Sequence, residues 1–460
     1  MSLQPYTSVD ELRRSLDDSP MSRAQIVVVV LAVLMAVLDG YDMSAMSFVA
    51  PVVSKAWAID KSTLGMLLGS SLFGMAGGAL LLSPLADTFG RRPMVLTGVS
   101  LVTLGTLLST MSDVVWQLAA SRGVTGLGIG VMVALTTSVS AEFANKRRRS
   151  LAVACTTVGF AIGGVVGALL SAGILKANPW QWVFGFGAAA GCALLALASV
   201  WLLESPVFLI DRRPANALDR INRVLARMGR SPLAALPPQA KQPRASYRAL
   251  FAPGLAATTI RSALVYLLVV TASYYLLSWL PQLVVDAGFP PSSASMAMAA
   301  AQMVGIAGGM LFGTLASRIG PVRLASIAMV GFGLALAGLG YVPANLTLLM
   351  VAASTCGFFL SASTAVFYAS LAEGFPPLSR VSGIGFVMGF GRLCSGVGPW
   401  AAGAMFAAGF GRGSVSLMFA SGAIVAGLLV AVPLLFPQRG RDGAGEAQAL
   451  GAEAPRHASK

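Results

Sequence analysis

Leu85-Ala86-Asp87-Thr88-Phe89-Gly90 returns 230 residues later as Leu315-Ala316-Ser317-Arg318-Ile319-Gly320. A second pair, Ala141-Glu142 with Arg149 and Ala372-Glu373 with Arg380, recurs at a spacing of 231 residues. Spacings that agree to within one residue at two unrelated places indicate an internal repeat. In a membrane protein it predicts two bundles of parallel topology, related by an axis along the membrane normal. Channels also contain repeats, so this pattern alone does not establish transport.

The composition predicts that these repeats lie in a lipid bilayer. Of 460 residues, 56% are hydrophobic and 11% are charged, with a mean hydropathy of +0.76. Soluble domains carry about 25% charged residues, so the chain is predicted to be an all-α polytopic membrane protein with 12 transmembrane helices in two six-helix bundles. The apolar runs cover roughly 24–50, 63–86, 93–112, 115–141, 150–175, 180–203, 256–285, 292–315, 324–342, 345–372, 381–407 and 413–436.

Polar stretches divide the chain into five predicted parts. These are a cytoplasmic N-terminal segment (1–23), an N-terminal bundle (24–203), a central cytoplasmic loop (204–255), a C-terminal bundle (256–436) and a disordered cytoplasmic tail (437–460).

The basic residues predict the orientation. If the N-terminus is inside, 25 of the 32 lysines and arginines fall on the cytoplasmic side and 4 fall on the other side. Cytoplasmic loops of membrane proteins carry this excess, so both termini are predicted to be cytoplasmic, in the inner membrane of a bacterium. The net charge of +14 comes from short clusters between apolar runs, a pattern typical of topology determinants and not of a nucleic-acid site.

Two acidic residues lie well inside a predicted span, and they are the first candidates for function. Asp39 and Asp42 are the only two of 18 acids in such a position, and the single histidine, His457, lies in the tail. A carboxylate in the hydrocarbon region costs ~2.5–3.5 kcal/mol on insertion scales, and such residues commonly mark proton or substrate pathways. A proton crossing the centre would therefore bind Asp39 or Asp42. In the alternative interpretation, an aspartate is permanently paired with Arg122 and holds helices together.

Arg122 and Arg392 lie deep in their predicted spans. At the repeat spacing of 231, their counterparts are Ala353 and Ala161, so the deep charges are not duplicated. This asymmetry is expected of a substrate site and not of scaffold. A guanidinium offers a planar fork that suits a carboxylate. Aromatic rings at Tyr41, Tyr275 and Trp279 could stack on a planar ligand, although helix packing is the ordinary role of such rings.

The loop after the second span resembles the signature of the major facilitator superfamily, G-x-L-A-D-R-x-G-R-R. It reads Ser83-Pro84-Leu85-Ala86-Asp87-Thr88-Phe89-Gly90-Arg91-Arg92-Pro93, with Ser83 and Thr88 as the two departures. The resemblance implies a charged cytoplasmic clasp that opens and closes as the halves rock. Its gating residues would be Asp87, Gly90, Arg91, Arg92, Glu142, Arg149, Glu373 and Arg380. Topology-setting arginines and snorkelling helix-end charges are the alternative interpretation.

Further motifs resemble the aromatic acid:proton symporter family within that superfamily. Asp39-Gly40-Tyr41-Asp42 matches its first-helix motif, and Arg122-Gly123-Val124-Thr125-Gly126-Leu127-Gly128-Ile129-Gly130 matches its fourth-helix motif. Leu203-Glu204-Ser205-Pro206-Val207-Phe208-Leu209 and Gly389-Phe390-Gly391-Arg392 match segments at the central loop and the eleventh helix.

The resemblance implies proton-coupled uptake of an aromatic carboxylate such as a hydroxybenzoate, by alternating access. Arg392 would anchor the carboxylate, and Arg122 would serve the substrate or the coupling. The chain would be a transporter and not an enzyme, monomeric, without metal or cofactor, and driven by the proton gradient. Import of another organic acid, proton-antiport efflux of a drug or metabolite, and a transporter-like receptor or channel remain as alternatives.

Overall fold

The computed structural model describes residues 6, 9–213, 216–236, 250–252, 255–376 and 380–435. The first helices are α1 (Val9–Asp18), α2 (Arg23–Ala56), α3 (Lys61–Gly77), α4 (Ala86–Phe89), α5 (Arg91–Thr110), α6 (Val115–Phe143), α7 (Arg149–Ala177), α8 (Gln181–Trp201), α9 (Pro206–Arg212) and α10 (Ala217–Arg227). They are followed by α11 (Ala256–Asp286), α12 (Pro291–Ile319), α13 (Pro321–Tyr341), α14 (Leu346–Gly374), α15 (Arg380–Leu393), α16 (Val397–Ala407) and α17 (Arg412–Leu435).

Eleven helical segments of the described chain are long and apolar enough to cross a membrane. One of them runs from α3 through a π-helical segment (Gly78–Leu82) and a short 3₁₀ turn into α4. The twelfth crossing is made by α15 and α16 together, which confirms a twelve-helix all-α membrane fold.

The eleventh predicted span, 381–407, is not one continuous helix. It is interrupted after Leu393 and restarts at Val397. Proline lacks a backbone N–H and its ring clashes with the carbonyl four residues earlier, so Pro399 disfavours continuation of the helix through Ser395. Single i→i+3 hydrogen bonds, such as Ser395 N–H to the Arg392 carbonyl at 3.2 Å, span the interruption. The break follows Arg392 by only a few residues.

The internal repeat is visible in backbone geometry. Gly90, before α5, has φ +111°, and Gly320, before α13, has φ +95°. Both adopt a conformation that side-chain-bearing residues rarely take, which explains the glycine in each copy of the repeat. Pro51 inside α2 and Pro281 inside α11 are also 230 residues apart. The two halves therefore share turns and helix irregularities as well as sequence.

Glycines let α6 pack closely between its neighbours. A Cβ added at Gly126 or Gly130 would overlap main-chain atoms of α3, and one added at Gly128 would lie 2.7 Å from the Val102 main-chain nitrogen in α5. Small residues at such spacing allow transmembrane backbones to approach. Gly126, Gly128 and Gly130 of the fourth-helix motif thus have a packing role.

Both halves meet at the face predicted to be periplasmic. A buried apolar cluster there includes Phe48 and Leu67 from the first half and Trp279 and Leu283 from the second. Gly403 in α16 lies directly against Gly65 in α3, because an added Cβ at Gly65 would be 2.8 Å from the Gly403 Cα. An ion pair of 2.6 Å joins Lys61 to Asp286 across the halves. These contacts close the molecule on that side.

Three short helices, α1, α9 and α10, cover the opposite face. The sequence predicted only polar connecting segments there. Leu12 of α1 is fully buried, and Ile221 and Leu225 of α10 join the same apolar cluster. Arg149 at the start of α7 pairs with Asp17 of α1 at 2.6 Å. The N-terminal segment and the central loop are therefore packed against the first half.

Candidate transport site

Asp42 and Arg122 form a buried polar network that joins five helices. Both side chains are fully buried, and the Arg122 Nη1 lies 3.9 Å from the Asp42 Oδ1. Arg122 also donates to the main-chain oxygen of Asp42 at 2.7 Å and to the Ser71 hydroxyl at 3.1 Å. The Thr106 hydroxyl donates to the Asp42 carboxylate at 2.8 Å, and the Phe184 ring centroid is 5.3 Å from the guanidinium. The buried charge of Asp42 is thus compensated within the first half.

Asp39 lies one helical turn before Asp42 in a different environment. Its side chain is 1% exposed, and its Oδ1 has no hydrogen-bond donor among the described residues. Gly40, between the two aspartates, lies against the main chain of Phe160, where an added Cβ would overlap. The close approach of α7 to α2 at Gly40 therefore encloses the pair. Within the described part of the chain, Asp42 is the one of the two carboxylates that forms an ion pair.

Arg392 is the deep cation of the second half. It occupies the last turn of α15 and is only partly buried. Gly385 and Gly389 precede it by seven and three residues, which places all three on one helix face. An added Cβ at either glycine would meet no atom within 4 Å. This face of α15 therefore borders open space, and Arg392 lies on it.

Tyrosines of α11 and α14 lie within electrostatic range of Arg392. The guanidinium interacts electrostatically with Tyr274 and Tyr368. The Tyr368 and Tyr266 hydroxyls lie 3.1 Å apart, and the Tyr266 ring is stacked on Phe367 with centroids 5.8 Å apart. Tyr274 packs against apolar clusters of both halves. A planar cation, phenolic hydroxyls and ring faces are the groups that would bind a flat organic anion.

A charged loop lies at the face predicted to be cytoplasmic. Arg91 pairs with Asp87 at 3.0 Å and with Glu142 of α6 at 3.5 Å. The Ser138 hydroxyl donates to the same Glu142 oxygen at 2.9 Å. The Arg91 guanidinium is also 5.5 Å from the Phe208 ring centroid in α9. Arg91 thus connects the loop before α5 to both α6 and the central loop.

Glu204 anchors the first turn of α5. One of its carboxylate oxygens accepts the backbone N–H groups of Arg91 at 2.8 Å, Arg92 at 3.2 Å and Ser205 at 3.0 Å. The N–H groups of Arg91 and Arg92 would have no partner within α5, so Glu204 acts as a cap for this helix, supplied from a distant segment. Burial raises the pKa of Glu204 above its ordinary value, although the N–H donors and Arg220 oppose that shift.

Comparison with known proteins identifies the fold and the superfamily. The sequence matches the family model described as Major Facilitator Superfamily over residues 32–343 and 262–458. The chain belongs to the major facilitator superfamily. It is therefore a multi-pass membrane transporter and not an enzyme.

Two curated relatives resemble this transporter over most of their length. The 3-(3-hydroxy-phenyl)propionate transporter of Escherichia coli (strain K12) is 31% identical, covering 89% of this chain and 94% of the relative. The 4-hydroxybenzoate transporter PcaK of Pseudomonas putida is 30% identical, covering 87% and 90%.

A solved structure has the same fold. The xylose transporter XylE from E. coli, in a partially occluded inward open conformation, superimposes with a TM-score of 0.71 at 17% identity. The alignment covers 90% of this transporter and 98% of XylE, so both halves of the fold are included.

Three aromatic residues predicted to contact substrate occupy helix interfaces instead of the face of Arg392. The Tyr41 hydroxyl donates to the Val183 carbonyl at 2.6 Å. Tyr275 forms a hydrogen bond to Ser416 at 2.8 Å and is stacked on a ring of α17, and Trp279 donates to the Pro399 carbonyl at 3.0 Å. All three are at least 96% buried. A substrate would reach them only after these helices had separated.

The structure gives ion-pair partners for two of the predicted gating residues. Glu142 pairs with Arg91, and Arg149 pairs with Asp17 of α1. Glu373 and Arg380 are their counterparts in the second half. Glu373 is exposed, and the side chain of Arg380 lies outside the described residues. Their gating role stays a prediction.

Sequence reasoning did not assign roles to Tyr266, Tyr274 or Glu204. The doublet Tyr274-Tyr275 is plain in the sequence, but only helix rotation decides which ring approaches Arg392. Glu204 lies in the family motif that begins at Leu203. A carboxylate in that motif was the one sign in the sequence that this position could have a specific role. The segment it caps is more than one hundred residues away, so spacing along the chain could not reveal the contact.

Proposed function

We propose that this transporter takes up an aromatic carboxylate together with protons, by alternating access between its halves. The observation that carries the proposal is Arg392 on an open helix face among tyrosines of α11 and α14. The relatives named above are transporters of a hydroxyphenylpropionate and of 4-hydroxybenzoate, and another, 28% identical, is the Gallate transporter of Pseudomonas putida. These three substrates combine one ring, one carboxylate and at least one hydroxyl.

The substrate carboxylate would bind the guanidinium fork of Arg392. Tyr274 and Tyr368 would supply hydroxyl groups and ring faces beside it. Because Tyr274 contacts apolar clusters of both halves, a ligand next to this ring would also influence how the halves meet. Substrate binding and rocking would then be coupled through one side chain.

The proton would bind Asp39 or Asp42, with Arg122 as the counter-charge. Arg122 donates hydrogen bonds to Ser71 and to the main chain of Asp42. These bonds favour a coupling role for Arg122 over direct contact with substrate. A monoanion that enters with one proton crosses without net charge. Each further proton would draw on the membrane potential, worth ~2.3 kcal/mol per charge per 100 mV.

Alternating access would open the contacts that close the predicted periplasmic face. Lys61, Asp286 and the Gly65–Gly403 contact would separate, while Arg91, Arg92, Asp87, Gly90 and Glu142 would rearrange on the other side. Arg149, Glu373 and Arg380 would take part as helix-end charges there. We further propose two six-helix units, 24–203 and 256–436, in a monomer of a bacterial inner membrane with both termini cytoplasmic, powered by the proton gradient alone.

Counterflow of labelled 4-hydroxybenzoate in proteoliposomes tests the substrate assignment. Arg392→Lys keeps the charge and removes the planar fork, so the substrate concentration at half-saturation should rise about tenfold. Arg392→Ala removes the charge as well and should raise this concentration further. The neutral 4-hydroxybenzamide should not compete with labelled substrate. Equal affinity of wild type and Arg392→Ala, or competition by the amide, would contradict the anchor.

Proton coupling is tested by comparing two modes of transport in one variant. Asp39→Asn should abolish accumulation driven by an imposed pH gradient and preserve counterflow, because exchange needs no net proton movement. Asp113→Asn, an exposed loop acid, is the matched control and should accumulate substrate normally. Gradient-driven accumulation by Asp39→Asn at the wild-type level would rule out this residue as the proton carrier.

A further inference from the structure

A basic groove lies beside the transport machinery, at the face predicted to be cytoplasmic. It has a volume of about 250 Å³ and lies between α10, the start of α5 and the segment after α8. Arg92, Arg220, Arg223 and Arg227 line it, together with one acid, Glu204. One oxygen of this acid accepts three backbone N–H groups. Four guanidinium groups against one carboxylate leave the groove with an excess of positive charge.

The geometry of α10 explains why three of these arginines face the same groove. Arg220, Arg223 and Arg227 follow at i, i+3 and i+7, which is one stripe of a helix. The opposite side of the helix buries Ile221 and Leu225 against the first half. Because this apolar side fixes the helix in place, the arginine stripe is held over the groove.

Two of the guanidinium groups are positioned by the end of α8. Arg92 donates to the Ser199 carbonyl at 2.7 Å, and Arg227 donates to the Val200 carbonyl at 3.0 Å. Unpaired carbonyls at a helix C-terminus attract cations. Each guanidinium carries five N–H donors, so most remain for a ligand, and the Arg92 Nε is buried without a partner among the described residues.

An apolar slot continues from the groove to the outer surface of the helices. It has a volume of about 110 Å³ and is lined by Ala24, Val27, Trp201, Leu203 and Arg227. Leu203 and Arg227 line both spaces, so the slot and the groove are adjacent. Trp201 is 52% exposed at the end of α8, and tryptophan is enriched at the level of lipid headgroups. The slot therefore opens where an acyl chain would lie.

We propose that this groove binds an anionic phospholipid of the cytoplasmic leaflet. The phosphate would contact Arg92, Arg220, Arg223 and Arg227, and one acyl chain would enter the slot beside Val27 and Trp201. Basic pockets at this level of a membrane protein bind acidic headgroups. A free anion would use the arginines alone, whereas the adjoining apolar slot matches a headgroup that carries a chain.

The bound lipid would act on the clasp of the transport cycle. Arg92 and Glu204 line the groove, and Glu204 also caps the helix that begins at Arg91. A lipid phosphate would hold Arg92 and α10 together and so stabilise this arrangement. The proposal concerns binding, and it holds whichever solute the transporter carries.

The test measures lipid binding to the purified full-length protein in detergent. Dioleoyl phosphatidylglycerol should raise the apparent Tm, and dioleoyl phosphatidylcholine should not. Arg223 is exposed, so Arg223→Gln should fold normally and weaken phosphatidylglycerol binding about fivefold, the effect of ~1 kcal/mol per arginine near an anionic surface. Arg220→Gln should behave alike. Arg323→Gln, an exposed arginine at the start of α13 with the same change of charge, is the matched control and should bind as wild type does.

Three results would overturn the proposal. Unchanged phosphatidylglycerol affinity in Arg220→Gln and Arg223→Gln would show that the lipid does not bind in this groove. An equal loss of phosphatidylglycerol affinity in Arg323→Gln would show that the lipid is attracted to the basic surface in general. Stabilisation by glycerol 1-phosphate equal to that by the diacyl lipid would identify a soluble anion as the occupant. Because binding is read without transport, a failed substrate assignment would leave these results unaffected.

Discussion

Gly90 offers a prediction in which the internal repeat supplies its own control. Gly90 and Gly320 hold equivalent turns with φ +111° and +95°. A Cβ at Gly90 would overlap the Glu204 carboxylate, whereas a Cβ at Gly320 would meet no atom within 4 Å. Alanine at either position therefore causes the same kind of backbone strain, and only Gly90→Ala also displaces a carboxylate.

The two costs can be estimated separately. A non-glycine residue in this backbone region costs about 1–3 kcal/mol, which is the whole expectation for Gly320→Ala. Displacing Glu204 removes charge-assisted hydrogen bonds to the first turn of α5, worth about 1.5–3 kcal/mol more. Gly90→Ala should therefore be destabilised by about 2.5–6 kcal/mol in total.

Thermal unfolding of the purified variants in one detergent measures this difference. The apparent Tm should fall in the order wild type, Gly320→Ala, Gly90→Ala. In a Glu204→Ala background the carboxylate is absent, so Gly90→Ala should add only the strain cost seen at Gly320. An equal fall in apparent Tm for Gly90→Ala and Gly320→Ala in the wild-type background would show that displacement of Glu204 adds no cost at Gly90.

Four further outcomes are expected. Gly126→Ala should reduce the yield of folded protein because its Cβ overlaps the main chain of α3, whereas Gly123→Ala, with nothing within 4 Å, should purify normally in the same size-exclusion assay. Lys61→Met should change the apparent Tm little, since exposed ion pairs contribute ~0–1 kcal/mol, but should speed labelling of cysteines introduced behind the closed face. Tyr275→Phe should lower the free energy of unfolding by about 1 kcal/mol, the value of one buried hydrogen bond, in denaturant titration. Burial raises the pKa of Glu204, so the folded state keeps the carboxyl proton to a higher pH than the unfolded state does. The free energy of unfolding should therefore fall as the pH rises from about 4.3, the ordinary pKa of glutamate, through the pKa in the folded state. Glu204→Gln should reduce this dependence of the apparent Tm on pH.

The interruption between α15 and α16 shows the limit of reading spans from composition. The run 381–407 is apolar apart from Arg392 and two serines, so hydropathy predicts one helix. Pro399 and the glycines near it disfavour a continuous helix without lowering the hydropathy enough to reveal a break. The break bears on the proposed substrate site, because Arg392 lies in the last helical turn before it.

The positions of some predicted site residues follow from helix periodicity, and those of others depend on how helices are rotated against each other. Arg392 lies on an open face because it shares a helix stripe with Gly385 and Gly389, a pattern that is readable along the chain. Tyr275 and Trp279 point into helix interfaces, which depends on how α11 is rotated against α16 and α17. Arg122 contacts Asp42, one of the alternatives that the sequence left open.

The amino-acid sequence alone was enough to predict the class of protein, the number of crossings, the repeat and the two unduplicated deep arginines. Those properties follow from apolar length, from charge between spans and from spacing, all of which are local. Three contacts became visible in the tertiary structure and not before. Tyr274 lies within electrostatic range of Arg392, Arg91 pairs with Glu142, and Glu204 caps α5. Such contacts join segments far apart in the chain, and helix rotation and packing select them from many partners of equal hydropathy.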